Sequence, residues 1–324
     1  MAYYIITIRK RQLNYNNSIK NRGEQMKTLE SLKSIIIKSF PEDLVQALNH
    51  VNLEKVEEIR IRVGKPVILK TGTSEVVLKY LINTDEILNV LQNFCNNSIY
   101  TYQNQICNGF ITIPGGHRVG IGGTAVVKDG KVTNITNLYS LNIRVAREIP
   151  DCSLGLLQYI INISNNSIYN SLIVSPPGAG KTTILRDVVN KISNGIPEIN
   201  FKGLTVSVID ERGEIAAMHR GIPQNDVGIR TDVLDNIPKT LGIRMAVRSL
   251  APQVIVADEI GNKDDSDVIN YAICSGVKGI FTAHGNSIQD LKLNPEINRL
   301  INLGVFEKII FLDQNRKGCV WKVI

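Results

Sequence analysis

At 324 residues, 43% hydrophobic and 21% charged, the chain has the composition of a folded globular protein with room for two domains, and no run approaches the roughly 18 apolar residues of a membrane span. Its five cysteines (Cys95, Cys107, Cys152, Cys274 and Cys319) are scattered, odd in number and form no CxxC pair, which argues against a disulfide framework or zinc site and for a reducing cytoplasm. The net charge is +7, of which residues 1–25 carry +4 (Arg9, Lys10, Arg11, Lys20 and Arg22 against Glu24), so the basic excess is a property of the tail and weak evidence for nucleic-acid binding.

Residues 1–26 are polar after Ile8 and Asn-rich, with no signal-peptide order; Met26-Lys27-Thr28-Leu29 reads as an ordinary translation start. A disordered extension or a mis-assigned start is expected there. Leu29–Phe40 has apolar residues at helical spacing, and Pro41 opens a second helix with Glu42 and Asp43 in its first turn. Between Val56 and Val63 the pattern alternates, with Ile59, Ile61 and Val63 on one face and Glu58, Arg60 and Arg62 on the other, as in a half-buried strand. Gly64-Lys65-Pro66 and Thr71–Ser74 are turns around two further strands. Thr84–Phe94 predicts a helix capped by Thr84, with Ile87, Leu88, Leu91 and Phe94 inward. Gly109–Glu148 is rich in Gly and β-branched residues, with turns at Pro114–Gly116 and Asp129-Gly130. Residues 27–150 are thus expected to form a small α+β domain.

Residues 151–324 have another texture. After a helical Leu154–Ile163, short apolar strands alternate with longer helical segments: LIVS, a helix to Asn194, LTVSVID, a helical Pro238–Leu250, QVIVAD, a helical Asp264–Ser275 and GIFTAH. Such alternation predicts an α/β fold, a parallel sheet covered on both faces. Phe306–Leu312 and Cys319–Ile324 read as a closing hairpin.

Ser171–Thr183, SLIVSPPGAGKTT, is an apolar strand, a Gly/Pro loop and a helix start. Backbone N–H groups wrap phosphate oxygens in such a loop, so residues without a Cβ are needed at Gly178 and Gly180, and the helix that follows points its positive end at the anion. Pro177, Gly178, Ala179, Gly180, Lys181, Thr182 and Thr183 are the candidate nucleotide-binding residues. Lys181 is expected on the β- and γ-phosphates of ATP and Thr182 on Mg²⁺. The strict pattern GxxxxGK[ST] has Gly where this chain has Ser175.

Two apolar strands end in carboxylates. VIVADEIG ends in Asp258, expected to hold Mg²⁺ through water, and Glu259, expected to orient or deprotonate the attacking water. SVIDERGE offers Asp210 and Glu211 as a second acidic pair near the γ-phosphate; the alternative is a structural strand end with Arg212 paired to Glu214. GIFTAHGNS puts His284 at a third strand tip, where it can sense the γ-phosphate.

Taken together, GAGKTT, VIDERGE, VADEIG and TAHGNS resemble, in order, the phosphate loop, Asp box, second acidic strand and His box of the secretion-type ATPases, the motors of type II and type IV secretion and pilus assembly. EEIRIRVGKPV, GGHRVGIGGTAV, LNIRVAREI and APQVIVADEIG extend the likeness over residues 27–324, and there it is closest to the stage III sporulation protein AA family of endospore-forming bacteria. The resemblance implies a RecA-like P-loop ATPase domain behind the smaller one. It further implies a homo-hexameric, Mg²⁺-dependent motor without covalent cofactor, cytoplasmic on the mother-cell side and peripheral at the membrane. There it would power a channel of membrane-embedded sporulation proteins. Arginines of the first domain meet the nucleotide in secretion-type ATPases, which makes Arg60, Arg62, Arg118, Arg144 and Arg147 the junction candidates, with Arg244 and Arg248 as further ones. The competing reading is a P-loop ATPase acting on single-stranded nucleic acid. Related chains of that kind carry an added binding module; none is expected after this closing hairpin, so nucleic acid is the less expected partner.

Overall fold

Ile59 and Ile61 point into a core and Arg60 points out, so the alternation between Val56 and Val63 becomes strand β1 (Glu58–Arg62). The computed structural model describes residues 30, 32–312 and 321–323; the expected extension over residues 1–26 lies outside them. The chain divides into two units, one reaching to Glu148 and including Ala217–Gln224, the other formed by Ile149–Ala216 and the residues from Asn225 onward.

In the first unit β1 joins β2 (Pro66–Thr71), β3 (Ser74–Leu81), β4 (Phe110–Ile113), β5 (His117–Lys128) and β6 (Lys131–Arg144) in an antiparallel sheet of order β3-β2-β1-β6-β5-β4. Helices α1 (residues 32–39), α2 (Glu42–Asn49), α3 (Thr84–Phe94) and α4 (Gln103–Cys107) accompany it, and Leu32, Leu44, Ile87 and Leu141 share its core. Pro41 stands at the N-cap of α2, ahead of Glu42 and Asp43. The cap of α3 is Asn83, not Thr84: the Asn83 side chain accepts the Glu86 N–H and the Glu86 carboxylate accepts the Asn83 N–H, a reciprocal pair that Thr84, one residue inside the helix, is not placed to make. The buried face of α3 is Ile87, Val90, Leu91 and Phe94, a true i, i+3, i+4, i+7 stripe; Leu88, expected inward, is exposed because it falls a quarter-turn off that stripe.

Ala217–Gln224, which chain order assigns to the second domain, folds with the first unit. The His219 Nδ1 lies 3.0 Å from the Thr112 carbonyl oxygen, the Gln224 side-chain oxygen accepts the Gly115 N–H at 2.9 Å, and the His219 ring lies against Tyr102.

In the second unit a seven-stranded sheet forms from β7 (Ser171–Ser175), β8 (Val206–Asp210), β9 (Thr231–Asp235), β10 (Val254–Ala257), β11 (Lys278–His284), β12 (Lys308–Leu312) and β13 (Trp321–Val323), in the order β9-β8-β10-β11-β7-β12-β13. All pairs are parallel except β12–β13, which closes the edge as the expected hairpin. Strands β7, β8 and β10 are buried at every residue, as near-continuous apolar runs in a doubly covered sheet should be. The helices are α5 (Leu154–Ile160), α6 (Lys181–Asn194), α7 (Lys239–Ser249), α8 (Lys263–Cys274), α9 (Ile288–Leu293) and α10 (Pro295–Asn302). Strand β9, reading TDVLD, was not expected: it is a half-buried edge strand held by backbone pairing, so it shows no apolar run. The register brings the carboxyl ends of β8, β10, β11 and β7 side by side, with His284 opposite Ser175.

Candidate active site

The loop between β7 and α6 turns on two left-handed residues, Gly178 (φ +76°) and Gly180 (φ +87°); open space surrounds both, so backbone conformation rather than crowding demands glycine. Ser175 has no positive φ. It ends the buried strand, its hydroxyl donating to the Pro176 carbonyl at 2.9 Å, which is why the departure from glycine there is harmless to the loop. Lys181 begins α6 and is 6% exposed. Its Nζ lies 2.7 Å from His284 Nδ1 and 3.4 Å from the Ser175 carbonyl oxygen. Burial lowers its pKa, Asp258 and Glu259 pull it up, and Arg212 presses it down again; the net direction is down.

Asp258 follows β10 directly. One carboxylate oxygen accepts the Thr182 hydroxyl at 2.7 Å and the other accepts the Thr282 hydroxyl. Thr282 also accepts the Glu259 N–H at 2.8 Å. Glu259 itself adopts φ +52°, a conformation rare for a residue with a side chain. One of its oxygens lies 3.0 Å from His284 Nε2 and the other is ion-paired with Arg212. A single chain of contacts therefore runs from Lys181 through His284 and Glu259 to Arg212.

The β8 tip is built differently. Asp210 is 2% exposed and both its oxygens face backbone: the N–H groups of Glu214, Ile215 and Ala216 donate to it over 2.8–3.2 Å. Burial raises its pKa, those three N–H groups work against it, and Asp258 adds to the rise. On the neighbouring strand burial and the Asp210 charge push Asp235 up to about 6. Arg186 of α6 donates to the carbonyls of Glu214 and Ile215 at 2.8 and 2.9 Å, so the turn after β8 is held from both sides. Glu211 forms an ion pair with Lys239 of α7.

Of the arginine candidates, Arg60 grips the Glu58 carboxylate at 3.0 and 3.2 Å, and Arg147 donates to the carbonyls of Glu54 and Val56 at 2.9 Å each. Arg118 lies 3.6 Å from the Phe110 ring centroid, and Arg144 pairs across strands with Glu58 on one side and Arg118 on the other. Burial raises the Glu58 pKa, but Arg60, Asn142 and the charge of Arg144 outweigh it and hold the carboxylate low. Arg62 accepts the Lys65 N–H through its backbone carbonyl, but among the described residues its side chain has no hydrogen-bonding or ionic partner. Arg244 sits over the Tyr271 ring at 5.4 Å and Arg248 stands in the last turn of α7.

Sequence reasoning missed Thr282, Arg212 and Lys239. Thr282 left a signal: it precedes His284 by two in a strand, so both project from one face, and it is the single hydroxyl in an apolar run. Arg212 and Lys239 left none, since their partners Glu259 and Glu211 lie 47 and 28 positions away.

Residues 27–324 match the family model described as sporulation stage III, protein AA. Stage III sporulation protein AA of Bacillus subtilis (strain 168) is 38% identical over 282 residues, 86% of this chain and 90% of that protein. Among solved structures, the Legionella pneumophila ATPase DotB superposes with a TM-score of 0.56 at 15% identity, covering 88% of this chain and 81% of that one. The pilus retraction motor PilT with bound ADP gives 0.53 at 16%, covering 87% and 81%. At those identities the likeness is one of fold, that of the RecA-like secretion ATPases. With nearly its whole length matched, the chain belongs to the sporulation stage III protein AA family.

Proposed function

We propose that this chain binds ATP on the Ser175–Thr182 loop and hydrolyses it to ADP and phosphate, as the motor of a sporulation channel. The observation that carries the reading is the constellation Lys181, Thr182, Asp258, Glu259 and His284 around one loop. Lys181 would exchange His284 for the β- and γ-phosphate oxygens. The Thr182 hydroxyl and Asp258 carboxylate, 2.7 Å apart, are hard oxygen donors that suit Mg²⁺. Among the described residues no group of three or more His, Cys, Asp or Glu side chains could hold a metal alone, which fits an ion that arrives with the phosphates of the nucleotide. When bound, Mg²⁺ supplies neutralisation of phosphate charge.

Glu259 is the proposed base. It accepts a proton from water as the new O–P bond forms at the γ-phosphorus and the bond to the bridging oxygen of ADP breaks. His284 orients that carboxylate. Asp210 and Glu211, paired as they are with backbone and with Lys239, are proposed to position the turn between them and Arg186 rather than to act on water. A ring of six copies would let an arginine of one chain serve the nucleotide of the next; of the five candidates Arg62 is the one whose side chain is not already engaged among the described residues. Cytoplasmic placement at a membrane through channel proteins is proposed on the family likeness; no described helix is long and apolar enough to cross a membrane.

The test is steady-state phosphate release by the wild type and by Lys181→Ala, with and without lipid-embedded channel proteins. Turnover in the wild type that vanishes in the variant supports the reading. Equal phosphate release by the two, or none from the wild type in any setting, refutes it.

A further inference from the structure

Arg212 belongs to no motif role, yet it ends the contact chain that starts at Lys181. Its backbone sits in a turn pinned at both ends by one residue: the Gly213 N–H donates to the Asp210 carbonyl at 3.3 Å, and the Glu214, Ile215 and Ala216 N–H groups donate to the Asp210 carboxylate. Its side chain, by contrast, is 60% exposed and is held by one carboxylate, that of Glu259. A fixed root with a long cationic arm can change partners without moving the backbone. The arm pairs with the group that must take a proton from water, and a guanidinium on a carboxylate makes it a poorer base.

An exposed ion pair of this kind is worth about 0–1 kcal/mol. A phosphate offers more: two or three oxygens and a higher charge, matched by the planar fork of arginine. Lys181, the neighbouring cation, is already buried against His284, whereas the Arg212 guanidinium is exposed and free to meet a phosphate. An arriving γ-phosphate is therefore a competing partner close at hand. A diphosphate, ending one phosphate short, is not.

We propose that Arg212 distinguishes ATP from ADP in its own subunit: it pairs with Glu259 while no γ-phosphate is present and transfers to the γ-phosphate when ATP binds, freeing Glu259 to act as base only then. This rests on the ATPase reading above. Hydrolysis followed by phosphate departure returns the arginine to Glu259, so the base is muted in the ADP state.

The experiment measures equilibrium binding of Mg²⁺·ADP and of a non-hydrolysable ATP analogue to the full chain and to Arg212→Gln, Arg212→Lys and Glu259→Gln. Matched thermal unfolding serves as the folding control. In Arg212→Gln the analogue is expected to weaken by roughly 10–100-fold while ADP stays within about twofold, with partial recovery in Arg212→Lys. In Glu259→Gln the arginine has no carboxylate to leave, so the analogue should bind roughly 2–5-fold more tightly than in the wild type. An analogue-to-ADP ratio unchanged by Arg212→Gln overturns the γ-phosphate contact. Unchanged analogue affinity in Glu259→Gln overturns the exchange. A wild type that binds neither nucleotide defeats the ATPase reading itself and this proposal with it.

Discussion

Nζ of Lys181 and Nδ1 of His284 stand 2.7 Å apart, and the lysine ammonium has only protons to offer. The histidine must therefore accept at Nδ1, carry its own proton on Nε2, and donate that proton to Glu259 3.0 Å away. One imidazole thus links the phosphate-binding lysine to the proposed base. His284→Ala should lower turnover by roughly 10–100-fold while nucleotide affinity shifts by less than about threefold. Parallel turnover and binding titrations check this; a loss in affinity that matches the loss in rate would assign the histidine to binding instead.

Glu259→Gln is expected to bind ATP yet cleave it roughly 10²–10⁴-fold more slowly, since the amide cannot take the proton. Glu211→Gln keeps an oxygen for Lys239 and should lose less than about tenfold. Single-turnover phosphate release separates the two. Near-normal cleavage in the first variant with loss in the second would exchange their roles.

Asp210→Asn leaves a buried NH₂ group facing backbone N–H donors that the carboxylate now satisfies. Such a replacement should destabilise the second unit by about 2–4 kcal/mol. Thermal unfolding reads the loss, and limited proteolysis should show new cutting within residues 211–224. An unchanged melting temperature would mean the three contacts contribute little.

His117 gives the first unit a pH limit. It is 0% exposed, its Nδ1 accepts the Ala146 N–H at 3.1 Å, and burial pushes its pKa down to about 4 from 6.5. The folded unit takes up that proton only near pH 4, whereas the unfolded chain takes it up near 6.5. The stability this represents is complete above pH 6.5 and is lost as pH falls toward 4. Between pH 7.5 and 4.5 the wild type should lose about 2–3 kcal/mol more than His117→Gln. Urea titrations at the two pH values test it, and parallel losses in the two proteins would exclude His117 as the cause.

How much of this was legible in the sequence depended on whether a feature is local. The parallel strands other than β9, the phosphate loop and the three polar tips all show, because each is written in consecutive residues: apolar run, then glycine, carboxylate or imidazole. Asn83 displaced Thr84 as a cap because both residue types can cap, and only the reach of Glu86 decides between them. Strand β9 stayed hidden because an edge strand needs only backbone partners. The pairings Arg212–Glu259, Glu211–Lys239 and Thr282–Asp258 were beyond reach for a different reason, since they depend on strand order, which places β11 between β10 and β7. The alternative reading of SVIDERGE pairs Arg212 with Glu214; the structure pairs it with Glu259.

The eight residues Ala217–Gln224 also bear on synthesis. The first unit holds Thr112 and Gly115 in contact with His219 and Gln224, and those partners leave the ribosome roughly 70 residues after Glu148. Its folding is thus out of step with translation: the sheet can assemble early, but the last piece arrives when β8 has already been made. A fragment cut at residue 150 is therefore an unfinished body, with the Thr112 carbonyl and the Tyr102 ring stripped of their covering strap. Attempts to study the first unit alone should carry residues 217–224 as a grafted segment rather than stop at residue 150.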